Sequence, residues 1–142
     1  MAGRTRTYSL DSWAVLRFLE GSTAAARRVR QVMRNGRPVM SWINLGEVYY
    51  TVHRTAGAAE ADTTIAQLRP LLTLDAATPE RVMAAARIKA VHPLAYGDAF
   101  AVATAASQAF SISGANLPSS ARYARARNMN MPLFQKYSPD WT

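Results

Sequence analysis

Residues 40–50 read MSWINLGEVYY, a stretch in which we expect a strand to run directly into a helix. We predict a strand over Pro38–Ser41 and a helix over Trp42–Arg54, because the apolar residues of the second segment recur at helical spacing. Glu47 lies in the middle of this apolar and aromatic run. Acidic side chains are almost never fully buried without a partner, so Glu47 needs a positive group beside it.

The same alternation of short strands and helices continues on both sides of this stretch. Further strands are predicted at Thr7–Asp11, Leu72–Leu74, Phe110–Ser113 and near Leu133–Phe134. Strands this short, alternating with helices, favour an α/β fold with a parallel sheet covered on both faces. Ligands of such sheets bind at the carboxyl ends of the strands. The other helices are predicted at Ser12–Glu20, Ser22–Arg34, Ala58–Leu72, Pro79–Val91 after an N-cap at Thr78, Tyr96–Ala109 and Ser119–Arg127.

The composition indicates one globular domain over residues 1–142, since no linker, repeat or low-complexity segment divides the chain. The chain has no cysteine, which excludes disulfides, thiolate zinc sites and a cysteine nucleophile. It also suits a reducing compartment, and we expect the cytoplasm. The apolar stretch Ala95–Ile112 is interrupted by polar residues, which favours a core helix over a membrane span.

The net charge is +8, and it comes from fifteen arginines and two lysines against nine acids. Eight of the basic residues lie between Arg4 and Arg37, and three more arginines lie between Arg122 and Arg127. Such an excess favours attraction to nucleic acid or to an acidic protein. An arginine-rich composition with its charges on solvated faces explains it equally well.

Three acids stand in positions that favour a shared site. Asp11 ends the first predicted strand, although it also suits the N-cap of the next helix. Glu47 pairs either with a cation or with an arginine such as Arg54 or Arg17. Asp98 opens an alanine-rich helix of which it is the only charge, a place where the helix dipole also favours an acid.

Carboxylates brought together repel one another, and a hard divalent cation with oxygen ligands relieves that repulsion. Mg²⁺ or Mn²⁺ held in this way lowers the pKa of a bound water and neutralises a phosphate. Asn44 shares a helical stripe with Glu47 and belongs to the same polar group. A basic chain with such a site has the profile of a nuclease. No glycine-rich phosphate loop follows any predicted strand, which argues against an unrelated nucleotide-binding domain.

Four stretches, taken in their order, resemble the PIN-domain ribonucleases, and most closely the VapC-type toxins of bacterial and archaeal toxin–antitoxin pairs. The likeness extends from Tyr8 to about Asn116. The stretches are YSLDSWAVLRFLEG at 8–21, MSWINLGEVYY at 40–50, ARIKAVHPLAYGDAFAVATA at 86–105 and FSISGA at 110–115.

The resemblance implies a compact α/β/α sandwich on a parallel sheet and an endoribonuclease that depends on Mg²⁺ or Mn²⁺. By that resemblance, Asp11, Glu47 and Asp98 are metal ligands or water-activating groups. Ser12 and Asn44 would support them or contact substrate. The resemblance also implies an RNA substrate, a homodimer, and a cognate antitoxin that covers the site.

One position departs from the family pattern. Where the family has Thr-Gly-Asp after its fourth strand, this chain has Ser113-Gly114-Ala115, so an alanine stands in place of the fourth acid. Ser113 keeps the hydroxyl, and Asn116 offers an uncharged carbonyl oxygen one residue later. The alternative function is therefore a PIN-fold protein, weakened or inactive in catalysis, that binds RNA or its antitoxin without cleavage.

Overall fold

The computed structural model describes residues 8–21 and 23–113, the last five of these by their backbone alone. Three short strands form a parallel sheet in the order β1-β2-β3. Their carboxyl ends meet at one edge of the sheet because all three run in the same direction. The strands are β1 (Ser9–Leu10), β2 (Val39–Ser41) and β3 (Thr73–Asp75).

Within residues 8–21 and 23–113, six α-helices and one 3₁₀ turn connect and follow the strands. Polar side chains begin four of the helices by accepting a backbone N–H bond, which satisfies a donor that has no partner inside the helix. These N-cap residues are Asp11, Thr23, Ser41 and Thr78. The helices are α1 (Ser12–Leu19), α2 (Ala24–Asn35), α3 (Trp42–Ala56), α4 (Ala58–Leu68), α5 (Pro79–Val91) and α6 (Tyr96–Ser113), with the 3₁₀ turn at Arg69–Leu71.

Among the described residues, buried apolar side chains form a first, large core on one face of the sheet and two smaller clusters around α6, which packs on β1 and β2. Leu10 and Met40 point into the first core, with apolar residues of α1, α2, α3 and α4. Neighbouring strand residues such as Ser9 and Val39 point the opposite way, since side chains alternate along a strand. One of the smaller clusters joins Leu94 to Val102 and alanines of α6, and the other joins Ala85 of α5 to Phe100 and alanines of α6. Small side chains on α6 let it pack directly across β1 and β2.

This architecture confirms the predicted α/β/α sandwich with a short-stranded parallel sheet, and the predicted N-cap at Thr78 is also confirmed. The helix predicted over Ala58–Leu72 ends earlier, at Leu68. Pro70 accounts for this difference because proline lacks the N–H that a helix needs. No helix within the described part of the chain is long and apolar enough to cross a membrane.

The strand predicted at Phe110–Ser113 is wrong, because α6 continues through it to Ser113. The preceding residues Thr104–Ala109 contain neither glycine nor proline, so nothing in that run ends the helix before Gly114. The two segments predicted at Ser119–Arg127 and Leu133–Phe134 lie outside the described residues.

A tyrosine and a carboxylate link α3 to α4. The hydrogen bond from Tyr49 to Asp62, together with the negative charge of that carboxylate, raises the pKa of Tyr49 from its usual 10.0. The raised pKa means that the neutral phenol is the form that this contact favours. The contact helps to fix the α3–α4 pair.

Candidate metal centre

Asp11 stands at the carboxyl edge of the sheet, directly after β1. Its side chain is 2% exposed, and its Oδ1 accepts a hydrogen bond of 2.8 Å from the backbone N–H of Ala14. The N-cap function that the sequence allowed is therefore confirmed. The cap also fixes the direction of the carboxylate relative to the sheet edge, where ligands of such folds bind.

Glu47 is held by an amide and not by an arginine. The Nδ2 of Asn44 donates to Glu47 Oε2 at 3.0 Å and to the carbonyl oxygen of Gly97 at 2.9 Å. Because both of these neighbours are acceptors, the NH₂ group of the buried amide must face them. One side chain thus joins α3 to the first turn of α6.

The arginines considered for Glu47 have other contacts. Arg17 forms an ion pair with Glu20 at 2.6 Å, and the guanidinium of Arg54 lies over the ring of Tyr50. Among the described residues, no ion pair involves Glu47. Its carboxylate is therefore left with its charge uncompensated by any described side chain.

Gly97 makes room for the Glu47 carboxylate. A Cβ added at Gly97 would lie 2.6 Å from Glu47 Cδ and 2.8 Å from Oε2, closer than real Cβ atoms approach other atoms. The absent side chain is thus a part of the site that the sequence reasoning missed. The available signal was a glycine in the first turn of a helix, where it costs helix propensity, directly before Asp98.

Asp98 follows Gly97 in the first turn of α6 and is 9% exposed. Glu47 packs against Gly97, so two carboxylates lie next to the positive end of the α6 dipole. Asn44 adds the oxygen Oδ1, which is buried and accepts no hydrogen bond from any described residue. Carboxylate and amide oxygens of this kind are the ligands of hard divalent cations, so the donor types fit Mg²⁺ or Mn²⁺.

Asp11, Glu47 and Asp98 do not come close enough to one another in this structure to form a complete metal site. Within the described residues, no three His, Asp or Glu side chains meet closely enough to hold one metal ion. One oxygen of Asp11 accepts from the backbone N–H of Ala14, and one oxygen of Glu47 accepts from the side-chain amide of Asn44. The structure joins Glu47, Asn44 and the Gly97–Asp98 turn, and it places Asp11 at the same edge of the sheet.

Comparison with known families and proteins decides the classification. The PIN domain family matches residues 8–112. The chain belongs to the PIN domain family. PIN domains are in general metal-dependent nucleases, so this is a nuclease-type fold. A search of curated proteins found no match, and a search of solved structures also found none.

The remaining predicted residues of this PIN domain are placed only in part. Ser12 is the first residue of α1 and is half-buried, next to Asp11 in the chain. Ser113 is the last residue of α6, and its side chain lies outside the described part. Ala115 and Asn116 also lie outside the described residues.

One more acid of this PIN domain, Asp75, lies at the carboxyl end of a strand. It ends β3, as Asp11 follows β1, so its position alone would make it a candidate ligand as well. Its oxygens are occupied. Arg81 donates its Nε to Asp75 Oδ2 at 2.8 Å, and the hydroxyl of Thr104 donates to the same oxygen at 3.1 Å. Asp75 therefore ties β3 to α5 and α6 and is not a free ligand.

Proposed function

We propose that this PIN domain is an endoribonuclease that depends on Mg²⁺ or Mn²⁺ and acts as the VapC-type toxin of a type II toxin–antitoxin system. The observation that carries the proposal is the contact of Asn44 with Glu47 and Gly97, which holds the Glu47 carboxylate against the residue that precedes Asp98. Asp11, Glu47 and Asp98 would hold the ion. When bound, the ion supplies charge neutralisation at a phosphate and a more acidic water.

Contacts among the described residues support this assignment. Asn44 fixes Glu47 and so reduces the rotamer freedom that the carboxylate would lose on binding a cation. The α1 cap fixes Asp11 in the same way. The dipole of α6 and the basic surface offset the repulsion between the acids.

The basic surface favours a polyanionic substrate. Helix α2 carries four arginines and no acid, and of these Arg27, Arg28 and Arg34 are exposed. Arginines arranged in this way neutralise phosphates and release counterions when they bind RNA. With a net charge of +8, we propose RNA as the substrate.

The cellular setting that we propose is taken from the order of the motifs. The likeness to VapC-type toxins supports a homodimer in the cytoplasm that is silenced by a cognate antitoxin, a segment of which covers the acids. These partners are part of the proposal and rest on the resemblance alone.

Metal-dependent cleavage of single-stranded RNA tests the proposal. We expect cleavage with Mn²⁺ or Mg²⁺ that stops when a chelator is added, and we expect Asp98→Ala to lower kcat/KM by at least about a hundredfold, because a buried ligand of the ion is lost. The matched control is Glu80→Ala, which removes an exposed acid from the first turn of α5 and leaves the site intact. Undiminished cleavage by Asp98→Ala would contradict the assignment.

A second candidate function is motivated by one residue. Ala115 stands where the family pattern has its fourth acid, so the same fold would bind RNA or an antitoxin without cutting. Substitution of Ala115 separates the two candidates.

A further inference from the structure

A cleft of about 700 Å³ lies beside β3, away from the contact between α3 and α6. The strand residues 72–74 form one wall, and the 3₁₀ turn after α4 forms another. Arg37, Trp42 and Arg69 line it. Among the described residues that line the cleft, none carries a negative charge.

The two arginine side chains of this cleft are held in place by neighbouring residues. The guanidinium carbon of Arg69 lies 5.4 Å from the ring centroid of Trp42, and Arg69 is exposed. Arg37 is also exposed, and one of its nitrogens donates to the carbonyl oxygen of Leu72 at 2.9 Å. A bond of 3.2 Å from the hydroxyl of Thr73 to the carbonyl oxygen of Arg37 adds a second tie to β3. Two positive charges therefore flank the same opening.

The aromatic surface of the cleft is a single indole. Trp42 is 41% exposed although it is the first residue of α3 and lies next to the sheet. An exposed indole face beside guanidinium groups is how proteins hold single-stranded nucleic acid, with a base on the ring and a phosphate on the cations. One indole flanked by two arginines, in a cleft that no described acid lines, suits the base and the phosphate of a nucleotide.

The cleft and the acids are connected through helix α3. Trp42 precedes Glu47 by five residues on α3, a rise of about 7.5 Å along the helix axis and a rotation of about 140° around it, so the two side chains leave the helix on different faces. We propose that this cleft binds one nucleotide of a single-stranded RNA at some distance from the position of cleavage, with its base on the exposed part of Trp42 and its phosphate on Arg69 and Arg37. The proposal rests on the proposed nuclease function for the identity of the ligand.

Binding measured in chelator, where cleavage is stopped, tests the cleft independently of catalysis. The probe is a labelled single-stranded oligoribonucleotide followed by fluorescence anisotropy. We expect Trp42→Ala to weaken binding about tenfold, the effect of losing one stacked base, and Trp42→Phe to keep most of the affinity. We expect Arg69→Gln to lower the slope of log affinity against log salt by about 0.7, the value of one phosphate contact to a single strand.

The chain offers a matched control, because Arg54 also lies over an exposed aromatic ring, that of Tyr50, on α3. Tyr50→Ala and Arg54→Gln remove the same kinds of groups without touching the cleft. Losses in the cleft variants that are no larger than in these controls would overturn the proposal. So would an acidic peptide whose binding, unlike that of the RNA, depends on Trp42, because the cleft would then serve a protein partner.

The outcomes for the cleft and for the nuclease are separable. If the variants weaken RNA binding as expected and the protein cleaves no RNA under any condition, the cleft stands and the nuclease function fails. If the protein cleaves RNA and the variants bind like the controls, the cleft assignment fails alone. Circular dichroism and thermal unfolding of each variant show whether a loss of binding comes from misfolding.

Discussion

At the scale of single residues, the position of Glu47 depends on two small neighbours. Asn44 is fully buried and uses both hydrogens of its amide, one toward Glu47 and one toward the Gly97 carbonyl. A buried amide with this many contacts is costly to replace, since any substitute leaves acceptors without a donor. Gly97 contributes by lacking a side chain, so that the carboxylate lies against the backbone of α6.

Substitution of Gly97 by alanine separates the site from the stability of the fold. The new methyl group would displace the Glu47 carboxylate, and we expect Mn²⁺ affinity to fall about tenfold, or about 1.4 kcal/mol. The free energy of unfolding should change far less, because alanine has the higher helix propensity. Titration calorimetry with Mn²⁺ and thermal unfolding measure the two effects.

Gly46→Ala is the control for this prediction. A Cβ at Gly46 would meet no atom within 4 Å, and Gly46 lies one residue from Glu47 on α3. We expect this variant to gain about 0.5–1 kcal/mol of stability and to bind Mn²⁺ unchanged. Equal Mn²⁺ affinity in the two variants would show that close approach at Gly97 does not matter.

At the scale of secondary-structure elements, the register of α6 decides where Asp98 lies. Arg81 of α5 fixes that register by donating to the carbonyl oxygen of Ala103 at 3.3 Å and to the hydroxyl of Ser107 at 2.7 Å. Its bonds to Asp75 connect the same guanidinium to the end of β3. One side chain thus joins a strand and two helices.

Removal of Arg81 should destabilise the fold strongly. The Arg81 and Asp75 side chains are only 19% and 16% exposed, so Arg81→Met leaves a mostly buried carboxylate without its cation. We expect a loss of about 2–4 kcal/mol in the free energy of unfolding, measured by urea denaturation. The control is Arg17→Met, whose ion pair with Glu20 is 42% and 54% exposed and should contribute less than about 1 kcal/mol. Similar losses in both variants would refute the structural importance of Arg81.

The elements also show what the sequence can and cannot predict. Local signals located β2, the start of α3 and the cap at Thr78, since each depends on residues within a turn of one another. Two features were not predictable from the sequence. One is the space that Gly97 leaves for the Glu47 carboxylate, and the other is the set of hydrogen bonds that Asp75 accepts from Arg81 and Thr104. They depend on how α6 packs on α3 and β3, and no local pattern records that packing.

At the scale of the whole molecule, attraction to RNA and cleavage of RNA have separate origins. The net charge of +8, to which the exposed arginines of α2 contribute, attracts RNA without any particular site. This attraction requires no metal ion. The acids occupy one edge of the sheet, and their spacing decides whether a cation is held. A protein of this design can lose cleavage and still bind RNA, which is why Ala115 matters.

Restoring an acid at position 115 tests which of the two functions the molecule has. By the family pattern, Ala115→Asp adds a hard oxygen ligand and one negative charge to the site, so we expect Mn²⁺ to bind about tenfold more tightly and RNA cleavage to become faster. RNA affinity in chelator should change little, because one charge is small beside a net charge of +8. Asn116→Asp adds the same charge one residue later and should have a smaller effect on Mn²⁺. If Ala115→Asp alters neither Mn²⁺ affinity nor cleavage, three acids suffice in this protein, and the case for an RNA-binding protein without catalysis loses its support.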